Sequence, residues 1–485
     1  MVIQTVIYLD NEWYRLRVEK NVEEITIGSP IIKKGLQITI QISDLLRTYG
    51  SRGFYQIPEI IDLEGLVKQN NQIEYSTLSN MKWDLLGTLR NQNLIKDDFK
   101  ISKETVKELL KAIYKLYLGL ADRDQEEMDR YNIIEKKINR IIYERQIRGI
   151  AISKSIISGR AKELEEREYN LKNQLQLDYG LFQPTSKTYL DKHFEQRGYI
   201  YHKSHLYTLK TNIVDKLDEL LYDLNRTNYE LSAFSLLSLS NWGAGKRTYP
   251  SYHGFGTITS RITLRNPAIQ NIRKSNRDIF IADPGKRLYY IDYSQFEAGI
   301  LASLSQDKAL LKLYNKNDIY SDLAIKVFGD RTLREKAKIE FYKYIYGFRS
   351  KDKSIASYFE KFVSLAKYKN EIESELETNG RIGSTLGNYR YKSGTLDNNT
   401  WALSHKIQSI ASLILKESLI SVYESVEDVE FLIPMHDAAL YQIDQDFFEQ
   451  RVEEIKEIFT KCFSNKCPGI KAKVKGGDFF EDPLF

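Results

Sequence analysis

The amino-acid sequence predicts a mixed α/β (α+β) protein of several domains, and three observations carry this prediction. The first sixty residues alternate short β-like runs with polar turns. From about residue 103 the pattern changes to the period of amphipathic helices. Further along, apolar runs of strand length end in carboxylates. The 485 residues suffice for roughly two to four domains with a large core.

The elements follow in chain order from these patterns. "VIQTVIYL" and "LQITIQI" predict strands, and "IPEIIDLEGLVKQ" (57–69) predicts a strand that leads into a helix. Residues 102–150 are helical in period and rich in Glu and Lys three or four positions apart. Gly149 interrupts this pattern, and residues 153–176 predict another charged helix. Such helices are usually solvated surfaces, and contact with a phosphate backbone is the alternative.

The composition bears on the kind of partner, metal site and location to expect, but it does not indicate a function. The formal charge of +5 fits an acidic partner such as nucleic acid, although many enzymes share it. The two cysteines, Cys462 and Cys467, are too few for a zinc site with four cysteines or for a disulfide framework. We expect no signal peptide, no membrane span and a cytoplasmic location.

Two carboxylates interrupt apolar runs in the second half of the chain. In "RLYYIDYSQFEAGILASLS" (287–305) a predicted buried strand delivers Asp292 just before a helix begins. In "LIPMHDAALYQI" (432–443) Asp437 lies at the tip of a predicted hairpin. A buried carboxylate is costly unless something pairs with it. Two such strands side by side would place both carboxylates around divalent metal, whereas a helix N-cap is the alternative for Asp292.

A third segment, "RTLREKAKIEFYKYIYGF" (331–348), carries cations and aromatic rings at intervals of four. Arg334, Lys338, Tyr342 and Tyr346 form one slowly spiralling stripe on a helix. The two cations lie about 6 Å apart along the axis, which suits two phosphates of one triphosphate. An amphipathic surface helix with aromatic core contacts is the alternative.

A fourth segment, "SRITLRNPAIQNI" (260–272), concentrates polar side chains that hydrogen-bond base edges and sugars. They are Arg261, Arg265, Gln270 and Asn271. A polar loop is the alternative for this segment taken alone.

Together these segments resemble the family A DNA polymerases, which are related to bacterial DNA polymerase I. The resemblance spans roughly residues 130–485 and keeps the family's order of motifs. The similar family motifs are ME-x-x-GI-x-V, TGRLSS-x-PNLQNI, DYSQIE, the fingers-helix motif, GYV-x-T-x-GRRR, NAPIQGTAADIIK and VHDE. The matching segments here are "IIYERQIRGIAI" (141–152), "SRITLRNPAIQNI" (260–272), "DYSQFE" (292–297), R-x3-K-x3-Y-x3-YG (334–347), "GRIGSTLGNYR" (380–390), "HKIQSIASLILK" (405–416) and "MHDAAL" (435–440).

The resemblance implies a right-hand fold, with an antiparallel palm sheet and helical fingers and thumb, and a role for each matching residue. Two Mg²⁺ ions, with Mn²⁺ as an alternative, would be bound by Asp292, Asp437 and the carbonyl of Tyr293. The catalytic residues would be Asp292, Asp437 and Lys338. The deoxynucleoside triphosphate would be bound by Arg334, Lys338, Tyr342, Tyr346, Gln295 and Glu297. The DNA primer–template would be bound by Arg261, Gln270, Asn271, Gln408 and His436.

Glu297 bears on the choice between DNA and RNA synthesis. In the family this acid blocks the ribose 2′-position, which favours deoxynucleotides. The related single-subunit RNA polymerases, which lack it, are the alternative, and a catalytically inactive primer–template-binding protein is another. The chain departs from the family at Ala438, where Glu is usual, and at Tyr342, where many members have Phe. The fingers between residues 347 and 380 look shortened.

The predicted domains place a small α/β domain before the polymerase segments. They are 1–129 (N-terminal domain), 130–250 (thumb), 251–310 (palm, first part), 311–404 (fingers) and 405–485 (palm, second part). In the family a proofreading exonuclease precedes the thumb, and "LDNE" offers Asp10 and Glu12 for it. The segment is short, so we expect a vestigial or remodelled 3′–5′ exonuclease-like domain, and a docking platform for a replication accessory protein is the alternative. A bacterial cell or a phage-infected host is the expected setting.

Overall fold

The structure is a computed structural model that forms two compact units. The described residues are 2–20, 22–70, 83–122, 124–201, 204–239, 246–347, 352–392 and 399–480. The first unit comprises Met1–Arg148, Ser251–Leu264 and Ala282–Phe485, and the second comprises Gly149–Pro250 and Arg265–Ile281. These two units do not coincide with the five predicted domains. The division into five domains stays a prediction.

A five-stranded mixed sheet forms the N-terminal part of the first unit. Its strands are β1 Ile3–Leu9, β2 Glu12–Glu19, β3 Val22–Ile27, β4 Leu36–Thr39 and β5 Glu59–Asp62. They lie in the order β3-β2-β1-β4-β5, antiparallel as far as β1 and parallel beyond it. Asp10 and Asn11 form the two-residue turn between β1 and β2, and both have positive φ, which Asp and Asn tolerate. Asp10 and Glu12 are exposed at this hairpin tip.

Helices cover this sheet and account for most of the rest of the chain up to residue 148. They are α1 Ile42–Ser51, α2 Leu63–Asn70, α3 Leu85–Asn91, α4 Val106–Ala121, α5 Gln125–Arg130, a π-helix Tyr131–Glu135 and α6 Lys136–Arg148. The predicted step from strand to helix in 57–69 is confirmed by β5 and α2. Ile7 and Leu16 of the sheet share one core with Leu110 and Ile113 of α4, which explains the apolar period of that helix.

The second unit is largely helical. Its helices are α7 Lys154–Tyr179, α8 Lys187–Arg197, α9 His205–Thr211 and α10 Lys216–Leu239. It also contains β6 Ile150–Ala151, β7 Arg247–Thr248 and the 3-10 helices Ile269–Asn271 and Lys274–Ile279. Serine side chains cap α7, α8 and α9, and glycines in the left-handed conformation end α7 and α8.

A four-stranded antiparallel sheet forms the C-terminal part of the first unit, as the predicted fold class requires. Its strands are β10 Lys286–Tyr293, β13 Val429–Pro434, β14 Ala438–Asp444 and β15 Val474–Gly477, in the order β13-β14-β10-β15. Four short strands lie outside it: β8 Ser251–His253, β9 Thr263–Arg265, β11 Arg381–Ile382 and β12 Arg390–Tyr391.

The other helices of the first unit lie between the strands of this sheet along the chain. They are α11 Phe296–Ser305, α12 Lys308–Lys316, α13 Ile319–Leu323, α14 Arg334–Ile345, α15 Lys353–Glu360, α16 Val363–Asn379, α17 Ala402–Ser425 and α18 Phe448–Lys466. A π-helix spans Ala324–Phe328, and 3-10 helices span Arg331–Leu333 and Gln445–Phe447. Among the described helices, none combines the length and apolar character that a membrane crossing requires.

Tyr293 at the end of β10 anchors the sheet to these helices. Its ring stacks on Phe296 of α11 with 4.3 Å between the centroids. Its hydroxyl lies 2.7 Å from the Ser418 hydroxyl of α17 and donates to the Phe459 carbonyl of α18 at 2.8 Å. Because neighbouring side chains on a strand point to opposite faces, Asp292 faces away from this packed side.

Candidate active site

Asp292 and Asp437 come together at one end of the C-terminal sheet. Asp292 is paired with Ala438, the first residue of β14, and Asp437 immediately precedes that strand. The Tyr293 amide donates to the Asp437 carbonyl at 3.1 Å, so the two aspartates are held on adjacent strands. Both side chains are half-buried. The described residues contain no cluster of three or more His, Cys, Asp or Glu with metal-ligand geometry, so any metal site here rests on this pair.

Asp437 is under electrostatic stress in this position. Its Oδ1 accepts no hydrogen bond from the described residues, and the Arg261 guanidinium is 3.9 Å away. Burial raises the pKa of the Asp437 carboxyl, although Arg261, His436 and Lys338 oppose the shift. A carboxylate oxygen that is shielded from solvent and accepts no hydrogen bond can serve as a ligand for a cation.

Arg261 and Glu297 form an ion pair beside Asp437. The Arg261 Nη2 donates to Glu297 Oε1 at 2.8 Å, and Glu297 is buried on α11. Burial and the neighbouring Asp437 raise the pKa of Glu297 to about 7, against the attraction of Arg261. Glu297 Oε2 also has no hydrogen-bond partner among the described residues. The site therefore holds two acids near each other with one arginine between them.

Helix α14 directs its stripe toward these acids. Tyr342 is half-buried, and burial, Tyr320, Glu297 and Asp437 all raise the pKa of its hydroxyl. Its ring lies 5.9 Å from that of Tyr346, which follows the last residue of the helix. Lys338 is close enough to Asp437 to oppose the rise in that acid's pKa. Lys338, Tyr342 and Tyr346 thus lie near Asp437.

The other predicted site residues fall in different places. Gln408 of α17 donates to the Tyr346 hydroxyl at 3.1 Å, and His436 is exposed on the turn before β14. Gln270 and Asn271 lie on the 3-10 helix of the second unit. The Gln295 side-chain oxygen accepts the Ile319 amide at 2.9 Å, so this side chain has a structural partner that the sequence did not indicate. The assigned roles of all these residues stay predictions.

Sequence reasoning missed two residues next to the stripe. Asp318 binds Arg334 through both of its carboxylate oxygens, and the Tyr320 ring lies 5.2 Å from the Arg334 guanidinium carbon. Tyr320 is almost fully buried, and its ring centroid is 6.2 Å from that of Tyr342. Asp318, the first aspartate of "NDIYSD", is a helix N-cap signal that could have revealed the start of α13. Its contact with Arg334 joins segments 16 positions apart and has no local signal.

Comparisons with known proteins agree with this geometry. The family model for DNA polymerase family A matches residues 143–481. The chain is 25% identical to DNA polymerase I of Caldicellulosiruptor bescii over 77% of this chain and 50% of that protein. It is 24% identical to DNA polymerase I of Helicobacter pylori over 75% of this chain and 46% of that protein. The chain thus spans about half the length of the curated relatives it matches.

A solved structure confirms the predicted right-hand polymerase fold. It is the POL domain of Pol1 from M. smegmatis in complex with DNA primer-template and dNTP. The TM-score is 0.67 at 20% identity, over 91% of this chain and 85% of that chain. The sequence segments, the paired aspartates and the family match lead to one conclusion: this chain belongs to DNA polymerase family A.

Proposed function

We propose that this chain is a DNA-directed DNA polymerase, which extends a primer by template-directed nucleotidyl transfer. The primer 3′-hydroxyl oxygen bonds to the α-phosphorus of the incoming deoxynucleotide, and the bond from that phosphorus to the bridging oxygen breaks. Pyrophosphate leaves. The observation that carries the proposal is the half-buried carboxylate of Asp437, with an oxygen that has no hydrogen-bond partner among the described residues, beside the strand that ends in Asp292.

The donor set fits divalent metal. Two carboxylates and a backbone carbonyl are hard oxygen ligands of the kind that Mg²⁺ prefers, and Mn²⁺ accepts the same donors. Asp292, Asp437 and the Tyr293 carbonyl would hold two ions. When bound, the ions would neutralise charge that develops on the attacking and leaving oxygens. Ala438 in place of the family's Glu leaves the site with one carboxylate fewer.

Helix α14 would bind the triphosphate. Arg334 and Lys338 supply one planar fork and one point charge for successive phosphates. Tyr346 would pack near the nascent base pair, and the buried Glu297 and the half-buried Tyr342 would line the sugar position. Glu297 is only 3% exposed, so a 2′-hydroxyl would have to displace a buried, ion-paired side chain. Deoxynucleotides are therefore the proposed substrates.

The primer–template would be bound by polar side chains of the segments that resemble the family's motifs. Arg261, Gln270, Asn271 and Gln408 would contact the minor-groove side, and His436 would contact the primer end. Arg261 already spans Glu297 and Asp437, so it would connect recognition of the primer terminus to the chemical site. Hydrogen bonds to minor-groove acceptors read duplex geometry with little sequence preference, as a replicative or repair enzyme requires.

We propose that the N-terminal domain does not proofread. Strands β1 and β4 contain no acidic residue. They meet instead through the buried amides of Gln4 and Gln37, with Gln37 Nε2 donating to Gln4 Oε1 at 2.8 Å. Hydrolysis by two metals needs several carboxylates, and neutral amides do not supply them. Docking of an accessory protein on this domain and the cytoplasmic location stay predictions.

Primer extension on a short DNA template with Mg²⁺ tests the proposal. Deoxy- and ribonucleotides are supplied separately, and Asp437→Ala is the control. We expect extension with deoxynucleotides only, and none by the variant. Extension with ribonucleotides would favour the RNA polymerase alternative. Tight primer–template binding without any extension would favour an inactive DNA-binding protein.

A further inference from the structure

The Arg334 guanidinium is already held along one edge. Its Nε and Nη2 donate to the two carboxylate oxygens of Asp318 at 3.2 and 2.9 Å. This is the bidentate geometry in which arginine and carboxylate bind most strongly. Both side chains are about three-quarters shielded from solvent. Burial alone would raise the pKa of Asp318, but hydrogen bonds from Arg334 and the Ser321 amide hold it below its ordinary value. Asp318 is therefore a permanent anion at neutral pH.

The opposite edge of the guanidinium is differently occupied. Nη1 donates to Glu335 at 2.9 Å, and the Glu335 side chain is 74% exposed. An exposed ion pair of this kind contributes little to stability, whereas breaking a shielded bidentate pair leaves a charge without its partner. A triphosphate that approaches Arg334 would displace Glu335 easily and Asp318 only with difficulty.

Asp318 is itself fixed to the sheet that carries the aspartates. The next residue, Ile319, donates its amide to the Gln295 side chain, three residues after Asp292. The preceding carbonyl, that of Asn317, accepts a hydrogen bond from Lys473 Nζ at 2.8 Å, next to β15. Asp318 also caps α13 through the Ser321 amide at 2.6 Å. The residues on both sides of Asp318 are thus hydrogen-bonded to segments that adjoin β10 and β15.

From this arrangement we infer that Asp318 is a positioning residue for nucleotide binding. The Asp318 carboxylate binds Nε and Nη2 of Arg334 and leaves Nη1 to bind the triphosphate. It thereby holds the guanidinium at a fixed position relative to the end of the sheet where Asp292 lies. The inference rests on the proposed function and adds a residue that positions the arginine for nucleotide binding. It requires Asp318 to stay bound when nucleotide binds. In the opposite arrangement Asp318 would be a competitor of the triphosphate, and its removal would tighten nucleotide binding.

Isothermal titration of dATP measures the effect directly. The protein is loaded with Mg²⁺ and a primer–template whose primer ends in a dideoxynucleotide, so that no chemistry follows. Asp318→Asn keeps the N-cap acceptor but loses the charge and the bidentate grip. We expect the Kd for dATP to rise about tenfold or more, as for loss of a charge-assisted hydrogen bond. The Kd for primer–template should not change.

Two further variants separate positioning from a structural role. Asp352→Asn makes the same substitution at the exposed N-cap of α15 and should leave the dATP Kd unchanged. In an Arg334→Ala background, Asp318→Asn should have no additional effect on the Kd, because the group it positions is gone. An additional rise there would assign Asp318 to helix capping alone and overturn the inference.

The possible results distinguish the inference from the proposed function. An unchanged or lowered dATP Kd in Asp318→Asn overturns the inference, and so does a wild-type protein that binds no dATP. A wild-type protein that binds dATP with an Asp318-dependent affinity but does not extend a normal primer supports the inference while the proposed polymerase activity fails. Extension by the wild type together with the expected Kd change supports both.

Discussion

Two groups of polar side chains in the first unit, one in the N-terminal sheet and one at the end of the C-terminal sheet, differ in charge and in how completely they are hydrogen-bonded. In the N-terminal sheet, Gln37 donates to Gln4 and to the Pro30 carbonyl, and the Tyr49 hydroxyl donates to Gln37 at 2.7 Å. All three side chains of this network are neutral and nearly inaccessible to solvent. At the end of the C-terminal sheet the side chains are charged, and one oxygen each of Asp437 and Glu297 lacks a partner among the described residues.

This difference separates side chains that only stabilise the fold from side chains that can still bind a ligand. A network of satisfied neutral groups rigidifies a fold and leaves nothing for a ligand to bind. Incompletely paired acids destabilise the folded state, and they persist where a ligand or metal completes them. The predictions below aim to break or sharpen this contrast, from the largest expected effect to the smallest.

Asp437→Asn should give the largest effect. We expect primer extension to fall at least about a thousandfold, because the amide is a poor metal ligand and roughly 4 kcal/mol of transition-state stabilisation is lost. The same variant should unfold at equal or higher denaturant concentration without metal, since a buried charge is removed. Steady-state kinetics and chemical denaturation measure the two effects.

The control for this variant is Asp10→Asn at the exposed hairpin turn. Asn adopts the positive φ of that turn as readily as Asp, so both activity and stability should match the wild type. Retained activity in Asp437→Asn would show that the carboxylate pair is not the metal site.

Glu297 should make stability depend on pH. Its pKa is about 7 in the folded protein against an ordinary 4.5, so the folded state binds more protons between these values. The free energy of unfolding should therefore be greatest below pH 4.5 as far as this group is concerned, and should decrease as pH rises toward 7, by about 2–3 kcal/mol.

Urea denaturation at a series of pH values without divalent metal tests this prediction. Glu297→Gln should flatten the slope between pH 4.5 and 7, and Glu449→Gln, at an exposed position on α18, should retain it. Identical slopes in wild type and Glu297→Gln would mean that Arg261 keeps Glu297 ionised throughout the range.

Gln37→Ala should affect stability and activity in the opposite way to Asp437→Asn. Removing this amide leaves Gln4, the Pro30 carbonyl and Tyr49 without their buried partner. We expect a loss of about 2–3 kcal/mol in the free energy of unfolding and little change in primer extension. Gln125→Ala, at an exposed glutamine of α5, is the control and should change neither. A loss of activity without a loss of stability would give the N-terminal sheet a catalytic role.

Much of this arrangement could be predicted from the sequence because it is local. The period of 102–150 predicts helices, and the carboxylates at the ends of "LYYI" and "LIPMH" predict a shared sheet edge. Asp292, on β10, and Asp437, just before the adjacent strand β14, do lie together. The motifs indicated the family and the right-hand fold for the same reason, since each motif is a contiguous segment.

The rest depends on contacts between distant segments, which local patterns do not encode. Asp318 meets Arg334 across 16 positions, and Gln37 meets Gln4 across 33. Asp10 and Glu12, which the resemblance to the family offered for an exonuclease, lie at a local turn. The positive φ of Asp10 and Asn11 gives these two residues a role in turn geometry, and an exonuclease role for Asp10 and Glu12 stays a prediction.

Tyr342 offers the smallest and most specific test of the charged site. Its half-buried hydroxyl lies near Glu297 and Asp437, where it can take the place of a sugar 3′-hydroxyl. The wild type should accept dideoxynucleotides readily, and Tyr342→Phe should discriminate against them about tenfold more, the value of one hydrogen bond. The ratio of kcat/KM for dTTP and ddTTP measures this, with Tyr344→Phe on the same helix as the control. Equal ratios in wild type and Tyr342→Phe would place the hydroxyl outside the sugar pocket, and the charged end of the sheet would then contact only the phosphates.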